Sequence, residues 1–138
     1  MKQITLIAII ALLLAACQPA AGLTVSDAWA RPGIAGGNSG AFFIIDNRGE
    51  ADTLLSAASD ISQAVELHRT IMEGDVMQMQ PQESVPVPAG ETVAFQPGGL
   101  HVMFIGLYAD LVPGDTFELV LTFEKAGKIV LQVEVRQP

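Results

Sequence analysis

The sequence is poor in thiols, in positive charge and in charge altogether. Cys17 is the only cysteine among 138 residues, so neither an intrachain disulfide nor a zinc site built on paired cysteines can form. Seven basic residues stand against fifteen acidic ones, a formal net charge of −8. A non-specific nucleic-acid binder needs cationic surface to displace counterions, and this balance excludes one. Only 16% of residues are charged and 50% are hydrophobic, which excludes disorder over most of the chain. Convincing amphipathic helical stretches are absent. There is no Gly-x-Ser-x-Gly elbow, no P-loop and no His-Glu-x-x-His. No feature nominates a nucleophile, and the chain reads as a non-enzyme. Its length allows one domain.

What is present begins with a leader. Lys2 precedes an apolar run from Ile4 to Ala16, interrupted by Thr5. A charged start, an apolar run of this length and small residues at its end read as a secretory signal over residues 1–16. The run is short for a permanent membrane span. It ends in Leu14-Ala15-Ala16-Cys17, which resembles the bacterial lipobox, where cleavage precedes a cysteine that is then lipidated. A diacylglyceryl thioether at Cys17 carries two acyl chains, enough for stable anchoring. Residues 17–22 are then the lipidated cysteine and a tether reaching about 18 Å at most. Residues 23–138 are the domain. Losing Lys2 leaves six basic against fifteen acidic residues, a net of −9. The domain is expected outside the cytoplasm, lipid-anchored to a bacterial membrane, as a monomer.

The rest reads as strands: 23–29, 40–46, 52–58, 64–71, 76–80, 92–95, 102–107, 116–123 and 129–135. Short β runs broken by turn residues predict an all-β sandwich or barrel. Alternation is clearest at the end of the chain. Phe117, Leu119, Leu121 and Phe123 share one face, as do Ile129, Leu131, Val133 and Val135. Residues 125–128, with Gly127, are expected to turn between those two strands. Residues 81–90 carry Pro81, Pro86 and Pro88 and read as a loop, poorly suited to a central strand.

Chemistry concentrates in one segment. His68 and His101 are the only histidines, and Met72, Met77, Met79 and Met103 are the methionines beyond the initiator. Imidazole and thioether are neutral ligands whose softness suits Cu(I) better than Mg²⁺, Ca²⁺ or Mn²⁺. In His101-Val102-Met103 both potential ligands share a strand face. A two-residue turn at Glu73-Gly74 would oppose His68 to Met79, with Cβ atoms about 4.5–5.5 Å apart. The bland readings stand beside this one. Methionine in a sandwich is usually core filler, and a lone histidine on a strand is more often packed than a ligand. Met72 and Met77 read as packing or spare soft ligands. Glu66 shares the His68 face and reads as an exposed acid.

The order His68, Met79, His101-x-Met103 resembles the signature of the periplasmic copper chaperone family PCuAC. Supporting segments are Asp27-Ala28-Trp29-Ala30-Arg31-Pro32, Gly40-Ala41-Phe42-Phe43, Val65-Glu66-Leu67-His68, Val76-Met77-Gln78-Met79, Pro97-Gly98-Gly99-Leu100-His101 and Leu121-Thr122-Phe123-Glu124. The likeness runs from about Val25 to Glu134. It implies a cupredoxin-like Greek-key β-sandwich binding one Cu(I) per chain through His68, Met79, His101 and Met103. It also implies delivery of copper to the CuA centre of cytochrome c oxidase, with oxidase subunit II or another copper chaperone as acceptor. No metal role attaches to Trp29 or Arg31. The chain stops at Pro138 without the His/Met-rich tail of some members, so one site is expected.

The alternatives carry their own signatures. A blue-copper carrier needs a thiolate, and the domain has none to offer. A zinc-binding lipoprotein would use His68, His101 and a carboxylate and leave the methionines without purpose. A metal-free structural sandwich would show no copper phenotype on substitution of His68 or Met103.

Overall fold

The computed structural model describes residues 22–138. The leader read over 1–16, the lipidation residue Cys17 and the tether up to residue 21 lie outside the described residues. Within them the chain forms ten strands and no helix: β1 (Leu23–Ala30), β2 (Asn38–Asn47), β3 (Asp52–Ala58), β4 (Ser62–Glu73), β5 (Val76–Pro81), β6 (Val85–Val87), β7 (Thr92–Phe95), β8 (Leu100–Leu107), β9 (Thr116–Phe123) and β10 (Gly127–Val135). They join in one continuous sheet, in the order β5-β4-β8-β7-β2-β1-β10-β9-β3-β6, with β8 also pairing β2.

Period-two alternation explains how that sheet closes over a core. Along β9 the odd residues Phe117, Leu119, Leu121 and Phe123 are buried, and Leu131, Val133 and Val135 of β10 join them. Their partners on the outer face include Glu118 and Glu134, so the hairpin has a dry side and a wet one. Val102 and Phe104 of β8, Leu67 of β4, Phe43 and Ile45 of β2 and Leu54 of β3 complete the core. Phe43 stacks on Phe95 at 4.4 Å between ring centroids, and Phe104 meets Phe117 edge-on at 5.3 Å.

Three local expectations are corrected. The β9–β10 turn comprises Glu124, Lys125 and Ala126, because Gly127 already pairs with Phe123. Gly127 has φ +74°, the left-handed conformation that closes a three-residue hairpin loop. The proline-rich stretch 81–90 contains β6, and Pro81 itself ends β5. Val85 and Val87 are buried while Pro86 faces out. A strand at the margin of the sheet, paired only to β3, can spare a proline N–H. The third correction is the register of the β4–β5 hairpin. Its turn is Gly74-Asp75, so Glu73 pairs Val76, Met72 pairs Met77, Thr70 pairs Met79 and His68 pairs Pro81. Gly74 takes φ +61°, and a glycine with positive φ at the first central position is what a type II′ turn demands. His68 and Met79 are therefore diagonal rather than opposed. Moving the turn by one residue shifts the pairing by two positions, so His68, Thr70, Met72, Met77 and Met79 keep a common face.

β4 changes partner halfway along. Its first part, Ser62 to Arg69, pairs with β8, and its last part, from His68 on, pairs with β5. The β4–β5 hairpin consequently overhangs the start of β8, and every residue of β5 is exposed. His68 sits at the handover.

Candidate metal centre

The face of β4 and β8 turned away from the core carries the histidines. On the core side Leu67 opposes Val102 and Val65 opposes Phe104; on the other side His68 opposes His101 and Glu66 opposes Met103. The two imidazoles lie 5.7 Å apart between ring centroids. Both residues are buried, at 8% and 4% exposure, although they face away from the apolar core. Phe42 of β2 covers this side, 6.4 Å from the His101 ring, and Trp29 of β1 packs on Phe42 at 4.7 Å.

Each imidazole has one nitrogen engaged and one without a hydrogen-bond partner. His68 Nε2 donates to Glu66 Oε2 at 2.6 Å. His101 Nδ1 donates to the Gly99 carbonyl at 3.1 Å, which is presented by the Pro97-Gly98-Gly99 turn leading into β8. Carboxylate and carbonyl both accept, so the neutral form of each ring would carry its lone pair on His68 Nδ1 and on His101 Nε2. Those two atoms are buried and have no hydrogen-bond partner among the described residues. A buried acceptor left unpaired costs free energy. A ring nitrogen engaged by a carboxylate or carbonyl while the other stays open is how metal-binding histidines are oriented. Burial pushes the His101 imidazole below its ordinary range; the Gly99 carbonyl pulls it back up, and His68 and Arg31 push it further down. The net downward shift favours the neutral ring, the form that ligation requires.

A cleft of about 270 Å³ opens beside His101. Met77, Met79 and Met103 line it with His101, and Arg31, Gly40, Phe42 and Thr70 contribute to its walls. Met77 and Met79 are 63% and 56% exposed, so their thioethers border solvent. Gly40 pairs with Met103, and a Cβ there would contact the Phe42 ring and His101 Cδ2. Three of the four residues singled out from the sequence, Met79, His101 and Met103, thus share one cleft. His68 does not line it; it stands directly across from His101 on the neighbouring strand.

Three residues take places beside the histidines that the sequence alone did not give them. Glu66, read as an exposed acid, orients His68. Arg31 holds its guanidinium 5.4 Å from the Phe42 ring centroid at the cleft wall. Met77, read as packing or a spare ligand, lines the cleft together with Met79. The corrected hairpin register would have placed Met77; Arg31 stood out only as part of the segment from Asp27 to Pro32, with no role at the cleft. Among the described residues, no three His, Cys, Asp or Glu side chains are grouped as a hard-metal or zinc site would need.

Known proteins share this architecture. The copper-bound PCuAC domain from PmoF2 superposes with a TM-score of 0.72 at 22% identity, over 85% of this chain and 94% of that one. The solution structure of CuI-DR1885 from Deinococcus radiodurans gives 0.60 at 25% identity, over 85% and 81%. The fold is therefore the cupredoxin-like β-sandwich of PCuAC domains. Among curated relatives, "Putative lipoprotein Lxx21020" of Leifsonia xyli is 31% identical over 117 residues, covering 83% of this chain and 70% of that protein. "Uncharacterized protein RP573" of Rickettsia prowazekii is 30% identical over 113 residues, covering 78% of this chain and 62% of that protein. Residues 23–135 match the family described as "Putative lipoprotein LpqE-like". With that match across nearly the whole β-sandwich, the chain belongs to the LpqE-like lipoprotein family, of PCuAC type.

Proposed function

We propose that this domain is an extracytoplasmic Cu(I) chaperone that holds one ion through His68, Met79, His101 and Met103, with Met77 at the margin of the site. The observation that carries the reading is the pair of buried imidazoles, each oriented through one nitrogen and open at the other, beside a cleft lined by thioethers. Soft, neutral donors favour Cu(I), and they need no deprotonation. Outside the cytoplasm they also avoid the oxidation that consumes thiols. Copper is cargo here. An acceptor's soft ligand can displace the exposed Met79 first, and the ion keeps its single charge throughout the exchange. Two structural neighbours, the copper-bound PCuAC domain from PmoF2 and CuI-DR1885, support the cargo assignment. We further propose export by the leader, anchoring through lipidated Cys17, and delivery to the CuA centre of cytochrome c oxidase.

The test is an anaerobic Cu(I) titration against a chromogenic chelator, using the full chain carrying Cys17→Ser so that no thiol competes. One tight equivalent is expected. In a His101→Ala/Met103→Ala variant it should weaken by more than about 100-fold, beyond the loss typical of removing a supporting residue. Absence of competitive binding by the unmutated site, or displacement of Cu(I) by equimolar Zn²⁺, would overturn the assignment.

A further inference from the structure

The methionines left unexplained are on the overhanging hairpin. Met72 and Met77 are directly opposed across β4 and β5, next to the Gly74-Asp75 turn. Their exposures are 61% and 63%, and neither belongs to the core. Methionine ordinarily fills core gaps, so two thioethers facing each other in solvent are not accounted for by packing. Directly opposed residues have Cβ atoms about 4.5–5.5 Å apart, and methionine's three rotatable bonds let two sulfurs close on a common ion. Met72 lies four residues beyond His68, roughly 13 Å along the strand, too far to reach the histidines. Met77, in contrast, also lines the cleft of Met79, Met103 and His101. One residue is therefore common to the exposed pair and to the inner cleft. Glu73 and Asp75 flank the tip and add negative charge near it.

Resting on the chaperone reading above, we propose that Met72 and Met77 form an outer, transient Cu(I) site through which the ion enters and leaves. The ion is first held between two thioethers. Met79 then displaces Met72 while Met77 stays bound, and His101, Met103 and His68 take up the ion as Met77 leaves, completing the inner site. Every donor gained or released is neutral. Copper remains Cu(I), no electron is transferred and no proton moves.

The experiment follows the methionine methyl resonances of the full Cys17→Ser chain, ¹³C-labelled at methionine, during anaerobic Cu(I) addition. The first equivalent is expected to move Met79 and Met103. Beyond it, the Met72 and Met77 methyls should shift together. Met72→Leu replaces an exposed residue outside the inner site. It should abolish the second-phase shift of Met77, leave the first equivalent's affinity within about twofold and slow loading about tenfold. A Met72 methyl that stays silent through two equivalents, or a second-phase Met77 shift that survives Met72→Leu, overturns the outer site alone. Loss of the first equivalent itself in the parent chain overturns the chaperone reading and this proposal with it.

Discussion

The molecule contains two long hairpins with the same alternating grammar and opposite fates. In β9–β10 the apolar face is phenylalanine, leucine and valine, and it is buried in the core. In β4–β5 the apolar face is largely methionine, and it stands in solvent beside two buried histidines. Alternation assigns residues to faces; it does not say which face will be covered. Covering depends on what lies across the sheet. β9 and β10 lie over the core for their full length, whereas β4 runs past the end of β8 and carries β5 with it. The difference separates a hairpin that supports the fold from one that exposes its thioethers to solvent.

Substituting one residue in each hairpin breaks the comparison most sharply. Leu121 is fully buried, and Leu121→Ala should remove about 2–5 kcal/mol of stability through lost burial and a residual cavity. Cu(I) affinity, measured where the variant is still folded, should hardly change. Met79→Ala should do the reverse. At 56% exposure it should alter stability by about 0.5 kcal/mol or less, while Cu(I) affinity falls. Denaturant midpoints and chelator competition on both variants check this. A Met79→Ala variant that loses stability and keeps its copper would erase the distinction.

Glu66 sharpens the ligand side. Its carboxylate fixes the His68 ring through Nε2 and leaves Nδ1 free. Glu66→Gln keeps an acceptor of similar shape and removes the charge that makes the imidazole a better donor. Cu(I) affinity should fall about tenfold, the lower end of what removing such support costs. An unchanged affinity, with the fold intact, would mean that the His68–Glu66 hydrogen bond serves packing alone.

Much of this was legible in the residues. The β-rich fold followed from alternation, and nine of the ten strands were visible as short apolar runs between turns. β6 was hidden by Pro86, since a three-residue strand with proline at its centre carries no periodic signal. The faces of the β4–β5 hairpin were legible but its register was not. Two adjacent turns, Glu73-Gly74 and Gly74-Asp75, give the same faces and differ only in which residue sits opposite which. Only the pairing of Glu73 with Val76 and of Met72 with Met77 decides between them. The environment of the histidines was the least legible. His68 and His101, 33 residues apart in sequence, meet only because β4 and β8 pair in that register. The role of Glu66 follows from that pairing too.

The smallest expected effect concerns the other hairpin's turn. Asp52, at the start of β3, accepts hydrogen bonds from the backbone N–H groups of Lys125 at 2.9 Å and Ala126 at 2.9 Å, and from Thr53 at 2.7 Å. Burial raises its pKa, but those three donors and the nearby Lys125 charge outweigh it, so the carboxyl stays below its ordinary value. The sign follows from linkage. Because the folded protein holds this proton more weakly than the unfolded chain, the contribution is fully present above the unfolded carboxylate range. It is lost as pH falls through the folded value. Asp52→Asn should cost about 1 kcal/mol near neutral pH and progressively less below pH of about 4, where the carboxyl of the unfolded parent chain begins to take up its proton. Urea denaturation of parent and variant at several pH values measures the gap. A gap that does not narrow in acid would show that the oxygen's geometry, and not its charge, pins the turn.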